Sequence, residues 1–487
     1  MGFKLQEHKT ATVFLSEEEN AVDSMFSEQD YTINVSFETF NFIKTKTPRN
    51  FKRERNKDYN CYQLKKDDNK ILLESNYYVG IDWICEEKKR YVHVEPKLNC
   101  FVIESFEKVT ELENENISQE NINKIDTEAK KHAENNNPLK EKEVDVIGML
   151  LQIMSHAEIS EYTNNLLLID WDAQEIPVTQ KQDLLTPFLI AKFLNILQAI
   201  TKKGLKKSYY KVQENLRNRV KGKILVGRQI KQNIFKNRFT NTVCEYQVFG
   251  EDSLENRFLK KVFTFCINYV ENHKYYFKEK KDISWLINYI RPAFEHLGSE
   301  VNLQEIKHYK HNPFFKEYKE ALTIGQQILK RFSYNITKTT EEKISTPPFW
   351  IDMPKMFELY VFAKLLKDNP HLKKKDLNYQ FSTYGNSLDF LINSGEKKMV
   401  VDAKYKLHYN YSQIHEDIRQ VSGYARLKKV RQELGVNDIN EEIPCLIIYP
   451  KTIDNKNDEA LLLDNLLNDE IKAYNKIYKI GITLPII

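Results

Sequence analysis

The 487-residue chain contains no Gly-x-x-x-x-Gly-Lys-Ser/Thr loop, the backbone cradle that binds nucleotide phosphates. Any nucleotide-driven motion it takes part in is supplied by another chain. No run of about 18 apolar residues occurs, which excludes a membrane-spanning helix. Residues 1–9 lack the apolar core of a signal peptide, and the expectation is a cytoplasmic protein with no membrane partner. Cys61, Cys85, Cys100, Cys244, Cys266 and Cys445 are scattered and form no Cys-x-x-Cys pair. That argues against a zinc ribbon and for reduced thiols. The eleven histidines form no His-x-x-x-His pair, and His408 and His415 read as surface residues rather than ligands.

Hydrophobic residues make up 41% of the chain and aromatics 12%, enough for ordinary cores, and the length suits two or three domains. Residues 1–103 read as β-rich, with alternation at Thr32–Phe37 and a hairpin of Tyr77–Ile84 and Arg90–Lys97 across Glu86–Lys89. Such alternation suggests a small barrel or sheet with one wet face. Residues 104–143 carry eleven acids, six lysines and many Asn, the composition of a flexible insertion. Residues 144–343 read as mostly helical, with helices from Val144 to Met154, over Leu185–Lys203, from Ser253 as N-cap to Tyr275, around Ile283–Leu297 and over Phe314–Phe332. A strand is expected at Val243–Val248. Pro347-Pro348 marks a boundary before an α/β domain at 344–487. The fold class expected is mixed, α+β.

The net charge is only +4, but thirteen Lys or Arg and a single acid, Glu214, lie between Lys202 and Arg238. Tyr209, Tyr210 and Phe235 are interleaved. Lys202, Lys203, Arg217, Arg219, Lys221, Lys223 and Arg228 are candidates for contact with a phosphate backbone or an acidic protein surface. The plain alternative is a solvated basic helix face.

The chemistry concentrates further on. Ser387–Ile392 and Met399–Lys406 are apolar runs joined by Asn393–Lys398, a polar segment with a turn-forming Gly, and read as a hairpin. Asp402 and Lys404 share a face of the second strand. In the right register Asp389 joins them. Two carboxylates can hold Mg²⁺, which prefers oxygen ligands and also binds phosphates. A bound metal lowers the pKa of its water, and Lys404 can orient that water or stabilise charge on phosphate. Single Asp and Lys residues on a strand are most often a solvated face; here three apolar residues, Met399–Val401, precede Asp402.

The Asp-(x)12-Asp-x-Lys spacing resembles the acidic core of the PD-(D/E)xK nucleases. Glu358, on an apolar helical pattern from Met353 to Leu366, looks like the acidic residue of that family's first core helix. Gln420 and Tyr424, at i and i+4 on one helix face, resemble its Gln-x-x-x-Tyr element, and Ile443–Tyr449 supplies a further buried strand. Leu388 stands where the family has Pro. More widely, Tyr78-Val79-Gly80, Val94-Glu95-Pro96-Lys97-Leu98, Val220-Lys221-Gly222-Lys223-Ile224, Glu255–Lys260 and the Asp389, Asp402-Ala403-Lys404 core resemble, in order, the McrC subunit of McrBC modification-dependent restriction systems. The resemblance implies a Mg²⁺-dependent endonuclease subunit acting on double-stranded, modified DNA. Asp389, Asp402 and the Ala403 carbonyl would bind the metal, Lys404 would be catalytic, and Glu358 and Gln420 would support it. It also implies an AAA+ GTPase partner of the McrB type, which the remainder of the chain docks onto and stimulates. The alternatives are a regulatory subunit with a weak or inactive nuclease domain, and a nuclease acting alone.

Overall fold

The computed structural model describes residues 2–7, 9–15, 32–52, 58–99, 141–179, 182–277, 281–298, 300–301, 315–332, 343–373, 375–383, 385–395, 397–406, 411–438, 440–451, 460–471 and 474–486. The acidic segment 104–143, apart from 141–143, lies outside these residues, as does His408. Contacts divide the chain into two compact units, one of residues 1–178 with 345–487 and one of 179–344.

In the first unit, Tyr78–Cys85 and Arg90–Glu95 pair antiparallel as a hairpin. Two distant strands extend it: Gly2–Gln6 runs parallel to Arg90–Glu95, and Phe349–Asp352 pairs antiparallel with Tyr78–Cys85. Leu167–Ile169 then completes a five-stranded sheet. The expected wet face is absent on Tyr78–Cys85, where all eight residues are buried. It is a central strand, covered on both faces. Gly80 is required there, because a Cβ would lie 2.1 Å from the Phe349 carbonyl oxygen of the neighbouring strand. The N-terminal β-rich segment thus belongs to the same unit as the C-terminal α/β segment, and Phe349–Asp352 caps the helix Met353–Asp368 through the Asp352 carboxylate on Lys355 N.

The C-terminal segment forms a second five-stranded sheet in the order Leu377–Thr383, Asn386–Ser394, Lys397–Ala403, Cys445–Lys451, Ile477–Thr483. The first three strands are antiparallel neighbours and the last two pairings are parallel. Parallel pairing needs a crossover, and the helix Tyr411–Ala425 supplies it. Its apolar residues Ile414, Ile418 and Val421 join Leu388, Leu391, Val400 and Ile447 in one core cluster.

The second unit holds the helices Leu185–Lys203, Leu254–Asn272, Lys281–Glu295 and Lys316–Arg331. It also departs from the helical expectation. Ser208–Arg217 and Asn241–Gly250 form a ten-residue antiparallel ribbon, with Lys223–Ile224 as a third strand. The stretch is therefore a helix face only over Val226–Gln232, which carries Arg228 and Lys231; from Ser208 to Arg217 and at Lys223–Ile224 it is strand. Tyr209, Tyr210 and Val212 favour extended backbone, while polar residues on both sides of the ribbon hide any period.

Candidate active site

The hairpin register places Phe390 against Val401 and Leu391 against Val400. Asp389 and Asp402 lie one position past the Phe390–Val401 pair, near enough for the Asp402 charge to act on Asp389. Asp402 is buried. Asp389 is half-buried as a residue, but its Oδ2 turns inward and accepts from Ala403 N at 2.8 Å. Burial, then the nearby Glu358 and Asp402 charges, push the Asp389 carboxyl well above its usual range; Lys404 and the Ala403 amide pull the other way.

Lys404 follows the strand end, its own N–H bonded to Ile448 O at 2.8 Å. Its ammonium lies 2.7 Å from Asp402 Oδ2, 2.9 Å from Gln420 Oε1 and 3.9 Å from Asp417 Oδ1. The contact with Asp402 is an ion pair outside hydrogen-bond angles, since Oδ2 has no hydrogen-bond partner. Burial opposes the charge on Lys404, but Asp402, Asp417 and Asp389 together raise its pKa. Gln420 Nε2 in turn donates to Tyr424 Oη at 2.6 Å, so the amide is fixed at both ends.

Glu358 is half-buried on its helix and accepts from Tyr379 Oη at 3.2 Å, which itself accepts from Gln380 Nε2 at 3.1 Å. Gln380, between the Tyr379–Phe390 and Phe381–Leu388 pairs on the outer strand, has φ +51°. A left-handed non-glycine costs about 1–3 kcal/mol, and such residues cluster at functional sites.

Two charged groups escaped the sequence reading. Asp417, buried on the crossover helix, accepts from Lys406 Nζ at 2.8 and 2.7 Å through its two oxygens. The signals were present: Asp417, Gln420 and Tyr424 follow the i, i+3, i+7 spacing of one helix face, and Lys406 continues the alternation of Asp402 and Lys404. His415 is half-buried, its Nδ1 2.6 Å from Tyr474 Oη.

The basic candidates lie elsewhere, in the second unit. Lys202 and Lys203 end the helix Leu185–Lys203, and Lys203 pairs with Glu317. Arg217, Arg219, Lys221, Lys223 and Arg228 are exposed at the far end of the ribbon. There Lys221 Nζ lies 4.2 Å from the Tyr246 ring centre and Arg228 bonds Gln213. The same end exposes Val220, Val226, Phe235 and Phe239, at 59, 64, 77 and 73%. Gly222, at φ +71°, turns the chain where a Cβ would meet Glu245 O at 2.4 Å.

A cation is a natural counter-charge for the Asp389–Asp402 pair, where the Asp389 carboxyl is driven toward protonation beside Asp402 and Glu358 although Lys404 pulls the other way. Two carboxylates suit Mg²⁺, which keeps several waters and takes phosphate oxygens for the rest. Among the described residues, no group of three or more His, Cys, Asp or Glu side chains is arranged to hold a metal.

The architecture is that of a mixed α/β protein with a buried carboxylate–lysine centre at the edge of a hairpin. The chain belongs to the family of McrBC 5-methylcytosine restriction system components, whose model matches residues 78–450. No curated protein matches it. Among solved structures, it is similar at 14% identity and TM-score 0.33 to a chain of the Thermococcus gammatolerans half-complex of McrB AAA+ hexamers with bound McrC, covering 99% of this chain and 94% of that one. A second similarity, at 13% identity and TM-score 0.27, is to the McrBC complex of the same organism, over 76% of this chain and 88% of that one. No described helix is long and apolar enough to cross a membrane.

Proposed function

We propose that this chain is the Mg²⁺-dependent DNA endonuclease subunit of its restriction system, with a nuclease domain of the PD-(D/E)xK type. The observation that carries the reading is the approach of the Asp389 and Asp402 carboxylates just past the hairpin's paired residues, with the Lys404 ammonium 2.7 Å from Asp402. Asp389 and Asp402, with the Ala403 carbonyl, would hold the cation. When bound, it supplies charge neutralisation at the phosphate and a more acidic water. Lys404 sits where it can orient that water and stabilise charge on the attacked phosphodiester. Gln420, anchored by Tyr424, and Asp417 set the direction of Lys404. Glu358, held by Tyr379, adds negative potential beside Asp389.

Docking onto an AAA+ GTPase of the McrB type is the second half of the proposal. Family membership supports it, as does the chain's lack of a phosphate-binding loop. The ribbon end offers both exposed aromatics and basic residues, the composition of an interface anchor. Double-stranded DNA is a secondary contact for the same basic residues.

The deciding experiment is cleavage of modified and unmodified plasmid with Mg²⁺, with and without the co-encoded GTPase. Cleavage that needs Mg²⁺ and vanishes in Asp402→Ala supports the nuclease assignment. Wild-type cleavage in Asp402→Ala and Lys404→Ala rejects it in favour of a regulatory subunit.

A further inference from the structure

Tyr405 lies one residue beyond Lys404, and its hydroxyl donates to Glu7 Oε2 at 3.1 Å across 398 positions of sequence. Both side chains are buried, each residue 4% exposed. The second Glu7 oxygen, Oε1, has no hydrogen-bond partner. The Tyr405 ring meets Tyr77 edge-on at 6.3 Å and Phe357 at 5.7 Å. Phe357 immediately precedes Glu358. One ring is thus braced from three directions: the N-terminal segment, the sheet hairpin around Tyr77, and the helix that carries Glu358.

The position of that ring matters because the strand has ended. Regular pairing stops at Ala403, opposite Ile448, and the Lys404 N–H makes the last bond to Ile448 O. Beyond that, side-chain anchors hold the segment. A buried carboxyl with one unbonded oxygen is a poor choice for packing alone, since an unpaired buried polar group costs about 1–3 kcal/mol. Burial pushes its pKa up to about 8, against which the Tyr405 bond acts. Burial thus favours its uncharged form, an acceptor that an amide can imitate.

We infer that Glu7 is a positioning residue for the carboxylate–lysine centre: by holding Tyr405 it fixes the chain that presents Lys404 against the helix that presents Glu358. This rests on the nuclease reading above. It assigns to the residue just past the N-terminal strand Gly2–Gln6, outside the family match, a role in phosphodiester cleavage.

The test compares the full-length protein with Glu7→Ala, Glu7→Gln, Tyr405→Phe and Asp402→Ala. The assay is plasmid cleavage with Mg²⁺ and the co-encoded GTPase, with Mn²⁺ binding measured separately by calorimetry. Glu7→Ala and Tyr405→Phe should lower the cleavage rate about tenfold, the usual cost of losing an orienting partner. Apparent KM for DNA and Mn²⁺ affinity should stay within about twofold of wild type, and Glu7→Gln should restore the rate, because its amide oxygen replaces the lost acceptor. If Glu7→Ala does not fold, Tyr405→Phe, which keeps the ring, decides. Wild-type rates in Tyr405→Phe and Glu7→Ala, or a folded Glu7→Gln as slow as Glu7→Ala, overturn the inference. Loss of cleavage in Asp402→Ala alone removes only the role of Glu7, whereas wild-type cleavage in Asp402→Ala removes the nuclease reading with it.

Discussion

Asp389 and Asp402 lie one position past the Phe390–Val401 pair, near enough for the charge of one to act on the other. Two carboxylates held this close inside a protein repel, and the Asp389 carboxyl responds by rising well above its usual range. A single ammonium, Lys404, offsets part of that charge. The remainder is what a divalent cation and a phosphate would balance together.

Removing one of the pair tests the metal directly. Asp402→Ala should cut Mg²⁺-dependent cleavage by about 100-fold or more, the scale of losing a preorganised electrostatic group. Circular dichroism should show the fold intact, since Val400 and Val401 still fill the core.

Asp417 binds Lys406 with both oxygens and lies 3.9 Å from the Lys404 ammonium. Asp417→Asn keeps the shape and removes the charge. Cleavage should fall about tenfold, as for other orienting partners, while DNA affinity by fluorescence anisotropy stays within about twofold or rises. Unchanged cleavage would make Asp417 a purely structural partner of Lys406.

Glu7 makes stability depend on pH. Burial pushes its carboxyl pKa up to about 8 in the folded protein, against an ordinary value of 4.5 for an unburied glutamate. The stability this contributes is full below pH 4.5 and is lost as pH rises through about 8. Tyr405 and Tyr77 are the titratable groups beside it. Glu7→Gln removes this dependence, so its melting temperature should gain on wild type steadily across that window. The slope is at most about 1.4 kcal/mol per pH unit. Parallel melting curves at every pH would show that Glu7 ionises normally.

In the second unit, Asn256 clamps the base of the ribbon. Its Nδ2 donates to Lys206 O at 2.9 Å and Glu251 O at 2.6 Å, on the segments entering and leaving it, and its Oδ1 accepts from Tyr318 Oη at 2.8 Å. Beside it, Lys206 and Glu255 form a buried ion pair at 2.5 Å. Asn256→Ala should destabilise the protein by about 1–3 kcal/mol through buried groups left unpaired, measured by urea unfolding. Hydrogen exchange should rise in Ser208–Gly250.

Phe235 and Phe239 are 77 and 73% exposed, so replacing both with Ser should leave thermal stability within about 0.5 kcal/mol. If the ribbon end anchors a protein partner, the double variant should bind the co-encoded GTPase at least about tenfold more weakly, as expected for aromatic anchors. If the ribbon end serves DNA instead, DNA affinity should fall with salt at a slope near −0.9 per phosphate neutralised, and partner binding should be unaffected.

The C-terminal elements were legible because each signal was local. Apolar runs around a polar turn specify a hairpin, and a 3.6-residue period with Asp352 as cap specifies a helix. The ribbon was not legible, since one face of Ser208–Arg217 is exposed and the other is only half-buried over most of its length, with Leu216 alone buried, too little to impose an apolar period. Tyr78–Cys85 misled for the opposite reason. Its Asp82 suggests a wet face, yet Asp82 is buried against Arg49 at 3.0 Å.

By itself the sequence determined which groups are available: two aspartates and a lysine at fixed spacing, glycines where backbones cross or turn, and no phosphate loop. Tertiary structure decided which of them meet. Hairpin register set Asp389 near Asp402, and the parallel crossover brought Asp417 and Gln420 onto Lys404. Pairing of the first strand with Arg90–Glu95 carried Glu7 to Tyr405. Those contacts depend on pairing between strands distant in the chain, and no local pattern encodes the partner of a strand.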